Sequence, residues 1–185
     1  MASKRPKGER AAGGRDAACG TGKYFPMVSA GGRRLLGADH SGVALATAQA
    51  KYPHVPTEKH SLQDLPYQGE FDGVMCVDAM EFGFTGRLAL GVGSLSARSD
   101  SGGWLYLTVE LGPEDRVSEV NREARKLRFP VVDGEWVEPD GFYHHYPSMD
   151  AVRAWVGEAE FVIYEEAEGP WHEEEYSYHH VLAHL

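Results

Sequence analysis

Cysteine is scarce in this chain. Its 185 residues include two cysteines, Cys19 and Cys76, and each is predicted to lie at the end of a buried strand. Two separated thiols cannot build the dense disulfide framework of a small secreted domain, and free thiols are typical of a reducing compartment. The cysteine content therefore favours a cytoplasmic protein.

Long apolar stretches are also missing. No run of residues approaches the roughly 20 that a helix needs to cross a bilayer. No apolar segment of the secretory type precedes a cleavage site either. We therefore expect a soluble protein with no membrane partner.

The sequence lacks the paired spacings that are typical of metal sites. It contains no C-x-x-C pair and no H-x-x-x-H spacing within a predicted helix, although it has nine histidines. His179 and His180 are neighbours in a predicted strand, so their side chains point to opposite faces and cannot serve one site. We expect no bound metal, and a histidine metal site is the competing hypothesis.

Basic residues are outnumbered by acidic ones, and the formal net charge is -10. This balance disfavours nucleic acid or an anionic membrane surface as the main partner. Residues 1–15 are the exception, since they hold five Lys and Arg side chains and almost nothing apolar. Such a composition predicts a disordered basic tail. A nucleic-acid-binding arm is the alternative interpretation.

The remaining residues, 16–185, are predicted to form one α/β domain, because 42% hydrophobic residues suffice for a core. Strand-like and helix-like segments alternate, which predicts an open sheet with helices on both faces. Helices are expected at 23–30, 41–52, 114–127 and 149–157, strands at 34–38, 57–61, 71–77, 104–111, 160–166 and 177–184, and a hairpin or loop insertion at 131–137 and 141–147. The first strand lacks apolar residues, and the Gly-rich stretch 85–101 predicts a short, frayed helix.

One stretch carries most of the functional information, namely Asp16-Ala17-Ala18-Cys19-Gly20-Thr21-Gly22. It is typical of a short strand that runs into a glycine turn and then into a helix. Gly20 and Gly22 have no Cβ, so a ligand can approach the backbone closely. About 20 residues later, Asp39 ends the next predicted strand, where an acidic side chain can bind ribose hydroxyls.

This stretch resembles motif I of the class I S-adenosylmethionine-dependent methyltransferases, in its D-x-A-C-G-T-G form. Later segments resemble family landmarks in the same order, and the resemblance extends from Asp16 to the C-terminus. The corresponding segments are 37–41, 62–67, 71–81 and 102–109. The resemblance implies a Rossmann-like sheet, mostly parallel with an antiparallel last strand. It also implies an enzyme, a monomer or homodimer, that moves the methyl group of S-adenosylmethionine to an O or N atom of a small organic acceptor.

The resemblance also implies a cofactor site. Asp16 would accept from the amino group of the cofactor, Asp39 would hold the ribose, and the Leu62 N–H would face the adenine. Ser61 replaces the acidic residue that the family often has there. The whole implied set is Asp16, Ala18, Gly20, Gly22, Asp39, His40, Ser61, Leu62, Gln63 and Val77. Asp16 could instead cap a turn, and Asp39 could cap the helix that follows it.

Acceptor chemistry is expected past the fourth strand and in an aromatic run. Asp78 and Glu81 could orient the acceptor, or they could be a solvated loop pair. His144 or His145 could deprotonate an acceptor hydroxyl, because histidine titrates near neutrality. Both histidines could equally pack in a lid without chemistry. A non-catalytic, decayed cofactor-binding or interaction protein of the same fold is the alternative function, and the weak first strand favours it.

Overall fold

The computed structural model describes residues 13–62, 64–67, 70–80, 102–111, 114–132, 134–137, 143–170 and 177–185. The strands in these ranges are β1 (Gly13–Asp16), β2 (Arg34–Asp39), β3 (Thr57–Lys59), β4 (Gly73–Cys76), β5 (Trp104–Leu111), β6 (Glu135–Val137), β7 (Tyr143–His145), β8 (Val162–Pro170) and β9 (Ser177–His184). The helices are α1 (Phe25–Val28), α2 (Gly42–Lys51), α3 (Glu114–Lys126) and α4 (Met149–Glu158), and a 3-10 turn spans Ala30–Gly32. The stretch 85–101, where a short, frayed helix is predicted, lies outside the described residues.

Seven strands form one mixed sheet in the order β3-β2-β1-β4-β5-β9-β8. The five strands from β3 to β5 are parallel, and β9 pairs antiparallel with both β5 and β8. The predicted hairpin forms a separate antiparallel pair of β6 and β7. This arrangement confirms the predicted open sheet with an antiparallel last strand.

Alternate residues of each strand pack on opposite faces of the sheet. We call the side on which α1 and α2 pack the α1 face, and the side on which α4 packs the α4 face. The core of the α4 face contains Leu36, Val74, Cys76, Leu105, Leu107, Val109, Val152, Val156, Phe161, Val181 and Ala183. The smaller core of the α1 face contains Cys19, Phe25, Leu35, Leu45, Ala48 and Val55. Both cysteines are therefore buried, and both are free thiols.

The first strand is short, as expected, but it begins at Gly13 and pairs with both β2 and β4. The ordered sheet thus starts ahead of Asp16. Arg15 occupies a core position in this strand and is fully buried, with its guanidinium 5.2 Å from the ring centroids of both Tyr67 and Phe71. Desolvation lowers the pKa of Arg15 to about 10, although the nearby Cys76 and Glu70 oppose this shift.

Helices α2 and α3 lie where they were predicted, but some of their apolar side chains face solvent. Helix α2 buries Leu45 and Ala48, whereas Val43 is 81% exposed. In α3 the side chain of Val120 is exposed, and so is that of Leu127 just after the helix. Apolar spacing alone did not show which side of each helix the sheet would cover.

The parallel strands bring the candidate residues to one edge. The carboxyl ends of β1, β2 and β4 are neighbours in the sheet, and the loops that follow them are 17–24, 40–41 and 77–80. In an open α/β sheet a ligand binds in the crevice outside these strand ends. A ligand site is therefore expected at this edge of the sheet.

Candidate active site

The glycine turn after β1 is fixed to the two neighbouring strands. The Ala17 N–H donates to the Met75 carbonyl over 2.8 Å, and the Cys19 N–H donates to the Ala38 carbonyl over 2.9 Å. Gly20 and Gly22 both have positive φ, +51° and +78°, in the left-handed region that favours glycine. A Cβ at Gly20 would meet no atom within 4 Å. The turn therefore exposes its backbone to open space at this position.

Asp39 holds the turn at the end of β2. Its Oδ2 accepts from the Gly20 N–H over 2.9 Å, and its Oδ1 accepts from the Ser41 N–H over 2.8 Å. The Nδ1 atom of the exposed His40 lies 3.5 Å from Oδ1. Each carboxylate oxygen has a second lone pair, so these bonds leave Asp39 able to accept from ribose hydroxyls. Ser41, rather than Asp39, caps α2, since its side chain accepts from the Ala44 N–H.

Asp16 is the most unusual group at this edge. It is fully buried, and neither carboxylate oxygen has a hydrogen-bond partner in the described part of the chain. Burial raises its pKa to about 7, the nearby Asp39 adds to the rise, and the Ala18 backbone N–H opposes it. A buried carboxylate with so little hydrogen bonding is costly. The structure thus contains an acceptor group that a ligand cation would satisfy.

The remaining predicted cofactor residues lie in the loops at the same edge, with one exception. Ala18 belongs to the glycine turn, and Val77 is buried where β4 ends. Ser61 and Leu62 follow β3, and this segment is joined to β2 because the His60 N–H donates to the Asp39 carbonyl over 3.0 Å. Gln63 lies outside the described residues.

Asp78 lies beside this group, in a conformation that is rare for a residue with a side chain. Its φ is +54°, and such backbone strain is found preferentially at functional sites. Its N–H donates to Thr108 Oγ1 over 3.0 Å, and its Oδ1 accepts from the Tyr178 hydroxyl over 2.7 Å. Asp78 is therefore held by β5 and β9. Its expected companion, Glu81, lies outside the described residues.

Three further residues near this point were not predicted. Burial and the nearby Asp78, Asp16 and Tyr106 raise the pKa of Tyr24 to about 12, so these side chains lie close together. The Tyr106 hydroxyl is 2.9 Å from His180 Nδ1, and burial raises the pKa of Tyr106. A partial signal was present in the sequence, since Tyr106, Thr108 and Glu110 alternate with apolar residues in β5.

The structure places His144 and His145 in strand β7. His144 stacks on Tyr146 with ring centroids 5.7 Å apart, and the buried His145 lies 6.4 Å from the ring of Trp155 in α4. Among the described residues, no hydrogen bond or ring contact joins either histidine to Asp78. The predicted cofactor residues in the described ranges thus lie at the ends of β1, β2, β3 and β4, whereas the two histidines are grouped with the hairpin and α4.

Neither a metal site nor a membrane-spanning helix is present in the described ranges. No three His, Cys, Asp or Glu side chains there approach one another closely enough to hold a metal ion. No helix there has both the length and the apolar character that a membrane span requires.

Part of the chain matches a protein-family model. Residues 15–92 match the model described as a methyltransferase domain. The matched region contains the glycine turn, Asp39 and β4. No curated protein matches the sequence significantly.

Comparison with solved structures extends over almost the whole chain. An S-adenosylmethionine-dependent methyltransferase from Methanosarcina mazei is 15% identical, with 92% of this chain and 91% of that chain covered and a TM-score of 0.74. Magnesium protoporphyrin IX methyltransferase from Synechocystis, with bound S-adenosylhomocysteine, is 18% identical over 94% of this chain and 75% of that chain, with a TM-score of 0.66. The 1,6-didemethyltoxoflavin-N1-methyltransferase from Burkholderia thailandensis is 12% identical over 92% and 69%, with a TM-score of 0.69. At these identities the similarity establishes the fold.

Proposed function

We propose that this chain is a class I S-adenosylmethionine-dependent methyltransferase, because residues 15–92 match the methyltransferase-domain model and the fold resembles that of such enzymes. We further propose that it transfers the methyl group of S-adenosylmethionine to an oxygen or nitrogen atom of a small organic acceptor. The observation that carries the proposal is the buried Asp16 carboxylate, which lacks a hydrogen-bond partner among the described residues. The α-ammonium group of S-adenosylmethionine is a cation that would satisfy it.

The other residues at the edge fit the rest of the cofactor. Asp39 has lone pairs for the ribose hydroxyls, and the open space beside Gly20 allows close approach to the backbone. The Leu62 N–H is the group that we assign to the adenine, with Ser61 and Gln63 next to it. Within the proposed cofactor site, Asp16 supplies negative charge, and the glycine turn leaves open space in which the ligand can approach the backbone.

The protein's contribution to the reaction is mainly positional. When bound, S-adenosylmethionine supplies an already activated methyl group, so donor and acceptor need to be held in line. Asp78 follows β4 at the same edge of the sheet as Asp16, Tyr24 lies near both, and Asp78 is held by Tyr178 and Thr108. We assign to Asp78 the orientation of the acceptor. His144 and His145 remain our candidates for the general base, and Tyr106 with His180 is a second hydrogen-bonded pair to test.

The nature of the acceptor is supported by two independent observations. Two of the similar structures are methyltransferases named for small organic compounds, and one of them acts at a nitrogen. The net charge of -10 disfavours nucleic acid as the acceptor. We therefore propose a small-molecule acceptor, and a cytoplasmic location, which the two free cysteines favour.

A non-catalytic cofactor-binding protein is the second candidate. The observation that favours it is the weak first strand β1, in which the charged Arg15 is buried at a core position. Such a protein would bind S-adenosylhomocysteine and methylate nothing. Turnover in a screen of hydroxyl, amine and carboxylate acceptors therefore separates the two candidates.

Calorimetry with S-adenosylhomocysteine tests the cofactor assignment without knowledge of the acceptor. We expect binding by the wild-type chain and roughly tenfold or greater weakening in Asp39→Asn, because the ribose loses a charged acceptor. Asp150→Asn is the matched control, since Asp150 is an exposed carboxylate on α4. If Asp39→Asn bound as tightly as Asp150→Asn, the ribose assignment would be wrong.

A further inference from the structure

A large cavity lies on the α1 face, away from the edge at which the predicted cofactor residues lie. Its volume is about 810 Å³, within the range of roughly 300–1,000 Å³ that is common for small-molecule sites. Its lining includes the first residues of the parallel strands β1, β2, β4 and β5, whereas the cofactor residues follow the last residues of such strands. None of the predicted cofactor residues that the structure describes lines this cavity. It is therefore a second, separate space.

The floor of the cavity contains two glycines in neighbouring strands. The strand register places Gly14 of β1 beside Gly73 of β4. A Cβ at Gly14 would lie 3.2 Å from Val28 Cγ1 in α1, so this position faces the α1 side. Among the described residues, a Cβ at Gly73 would meet only the Trp104 carbonyl oxygen, at 3.9 Å. Glycine weakens a strand and often marks the close approach of a ligand. The pair leaves a strip of backbone on which a flat group can lie.

The walls of the cavity are apolar and aromatic. Val28 borders the α1 side of the glycine strip, and Trp104 borders its β5 side. Met75 and Tyr106 continue the lining one step further along β4 and β5. Aromatic side chains favour offset-stacked or edge-to-face contacts with other rings. The cavity is therefore suited to a ligand with a planar, ring-containing apolar body.

Arg33 brings a positive charge to the rim of the cavity, where it is exposed. Its Nε donates to the Val28 carbonyl over 2.9 Å and its Nη2 to the Met27 carbonyl over 3.5 Å, which fixes the guanidinium. In the described part of the chain, no carboxylate pairs with Arg33. Asp72, the acidic residue of the lining, already accepts from the Gly13 N–H over 2.9 Å. The rim therefore favours an anionic group, since Arg33 can form a charge-assisted pair with it.

We propose that this cavity binds a small organic anion with a planar apolar body. The body lies over the two glycines and beside Trp104, and the anionic group pairs with Arg33. An uncharged compound would leave the arginine unused, and a small inorganic anion would leave the cavity unfilled. Because the cavity is separate from the cofactor edge, this binding does not depend on whether methyl transfer occurs.

Calorimetry of the full chain with 2-naphthoate and its uncharged analogue 2-naphthamide tests the charge that the site selects. We expect 2-naphthoate to bind roughly tenfold more tightly, because its carboxylate can pair with Arg33. Arg33→Gln should remove this preference and leave the affinity for 2-naphthamide unchanged. Arg122→Gln, at an exposed position of α3, is the matched control and should keep the preference. Arg33 is itself exposed, so its replacement does not alter the core.

Filling the cavity tests where the compounds bind. Gly73→Val places a side chain in open space and should weaken binding of both compounds by at least about tenfold, because it occupies their volume. Gly169→Val is the matched control, since a Cβ at this position of β8 would also meet no described atom within 4 Å. Thermal unfolding checks that both variants are folded, and Arg33→Gln decides the proposal if Gly73→Val is not.

The proposal also requires that 2-naphthoate and S-adenosylhomocysteine bind independently. Absence of wild-type binding of 2-naphthoate at up to about 1 mM would overturn it, as would an unchanged preference in Arg33→Gln or unchanged affinity in a folded Gly73→Val. Competition between the two ligands would place 2-naphthoate in the cofactor site and would also overturn it. If S-adenosylhomocysteine fails to bind, the cofactor assignment is wrong, and the titrations with the two naphthalene compounds still decide this proposal.

Discussion

In the ligand-free protein, the buried Asp16 carboxylate lowers the free energy of unfolding at neutral pH. Its pKa rises from the ordinary value of 3.8, expected in the unfolded chain, to about 7 in the folded protein, because burial disfavours the charged form. The folded state therefore binds the proton more tightly. The stabilisation that protonation of Asp16 gives to the folded state is fully present below pH 3.8. It is lost as the pH rises toward 7. The total loss is about 4 kcal/mol.

Asp16→Asn should remove this dependence. We expect the variant to be more stable than the ligand-free wild-type chain at pH 8, by up to about 4 kcal/mol, with little difference near pH 4. Urea unfolding at the two pH values measures the change. A wild-type chain that gains stability over the variant between pH 4 and pH 8 would contradict the raised pKa.

Arg15 is a second residue with a folding cost. Its pKa falls from 12.5 to about 10, so burial outweighs the favourable contacts with Tyr67, Phe71 and nearby anionic groups. The difference corresponds to about 3 kcal/mol against the charged form. An apolar side chain of similar length would avoid this cost.

Arg15→Met should therefore raise the free energy of unfolding, by about 1–3 kcal/mol, since the thioether can pack against both rings. Arg122→Met, at an exposed position of α3, is the control and should change little. Denaturant titration gives both values. Destabilisation by Arg15→Met would mean that the contacts of the cation exceed its desolvation cost.

The glycine turn is the element on which the cofactor site depends. Both glycines have positive φ, but their surroundings differ. A Cβ at Gly22 would lie 2.9 Å from the Phe25 ring and 3.0 Å from the Tyr52 ring, whereas one at Gly20 would meet nothing within 4 Å. Gly22 thus serves packing, and Gly20 leaves space for a ligand.

Alanine substitutions should separate these two roles. Gly22→Ala should cost about 1–3 kcal/mol of stability through strain and overpacking. Gly20→Ala should cost about 1 kcal/mol, the penalty of the left-handed conformation, but should weaken S-adenosylhomocysteine binding more strongly. Thermal unfolding and calorimetry on both variants provide the comparison, and equal effects on stability would show that the two positions are equivalent.

At the scale of the whole molecule, the order of elements was predictable because strands and helices alternate along the chain. The limits of β5 and β9 were predicted to the residue, since their flanking turns are clear. The sequence also indicated that Asp16 and Asp39 end neighbouring strands, and the structure has both residues at those strand ends. Their roles in cofactor binding stay predictions.

Other features depend on contacts between distant segments. Arg15 looks like part of a tail in the sequence, and only the loop that carries Tyr67 and Phe71 makes it a core residue. Likewise, Tyr106 meets His180 through the antiparallel pairing of β5 with β9. Local sequence patterns do not show which distant side chains meet, so the group formed by Tyr24, Tyr106 and His180 was not predicted.

The central claim is that the edge formed by β1, β2 and β4 binds S-adenosylmethionine through a buried carboxylate. Calorimetric titration of S-adenosylhomocysteine between pH 5.5 and pH 8.5, with wild-type chain and Asp16→Asn, tests it most directly. The ligand's ammonium group requires the charged form of Asp16, so wild-type affinity should fall about tenfold per pH unit below about 7. Binding there should release a proton, and Asp16→Asn should bind weakly at every pH. Absence of binding, or equal pH-independent affinity in both proteins, would contradict the claim.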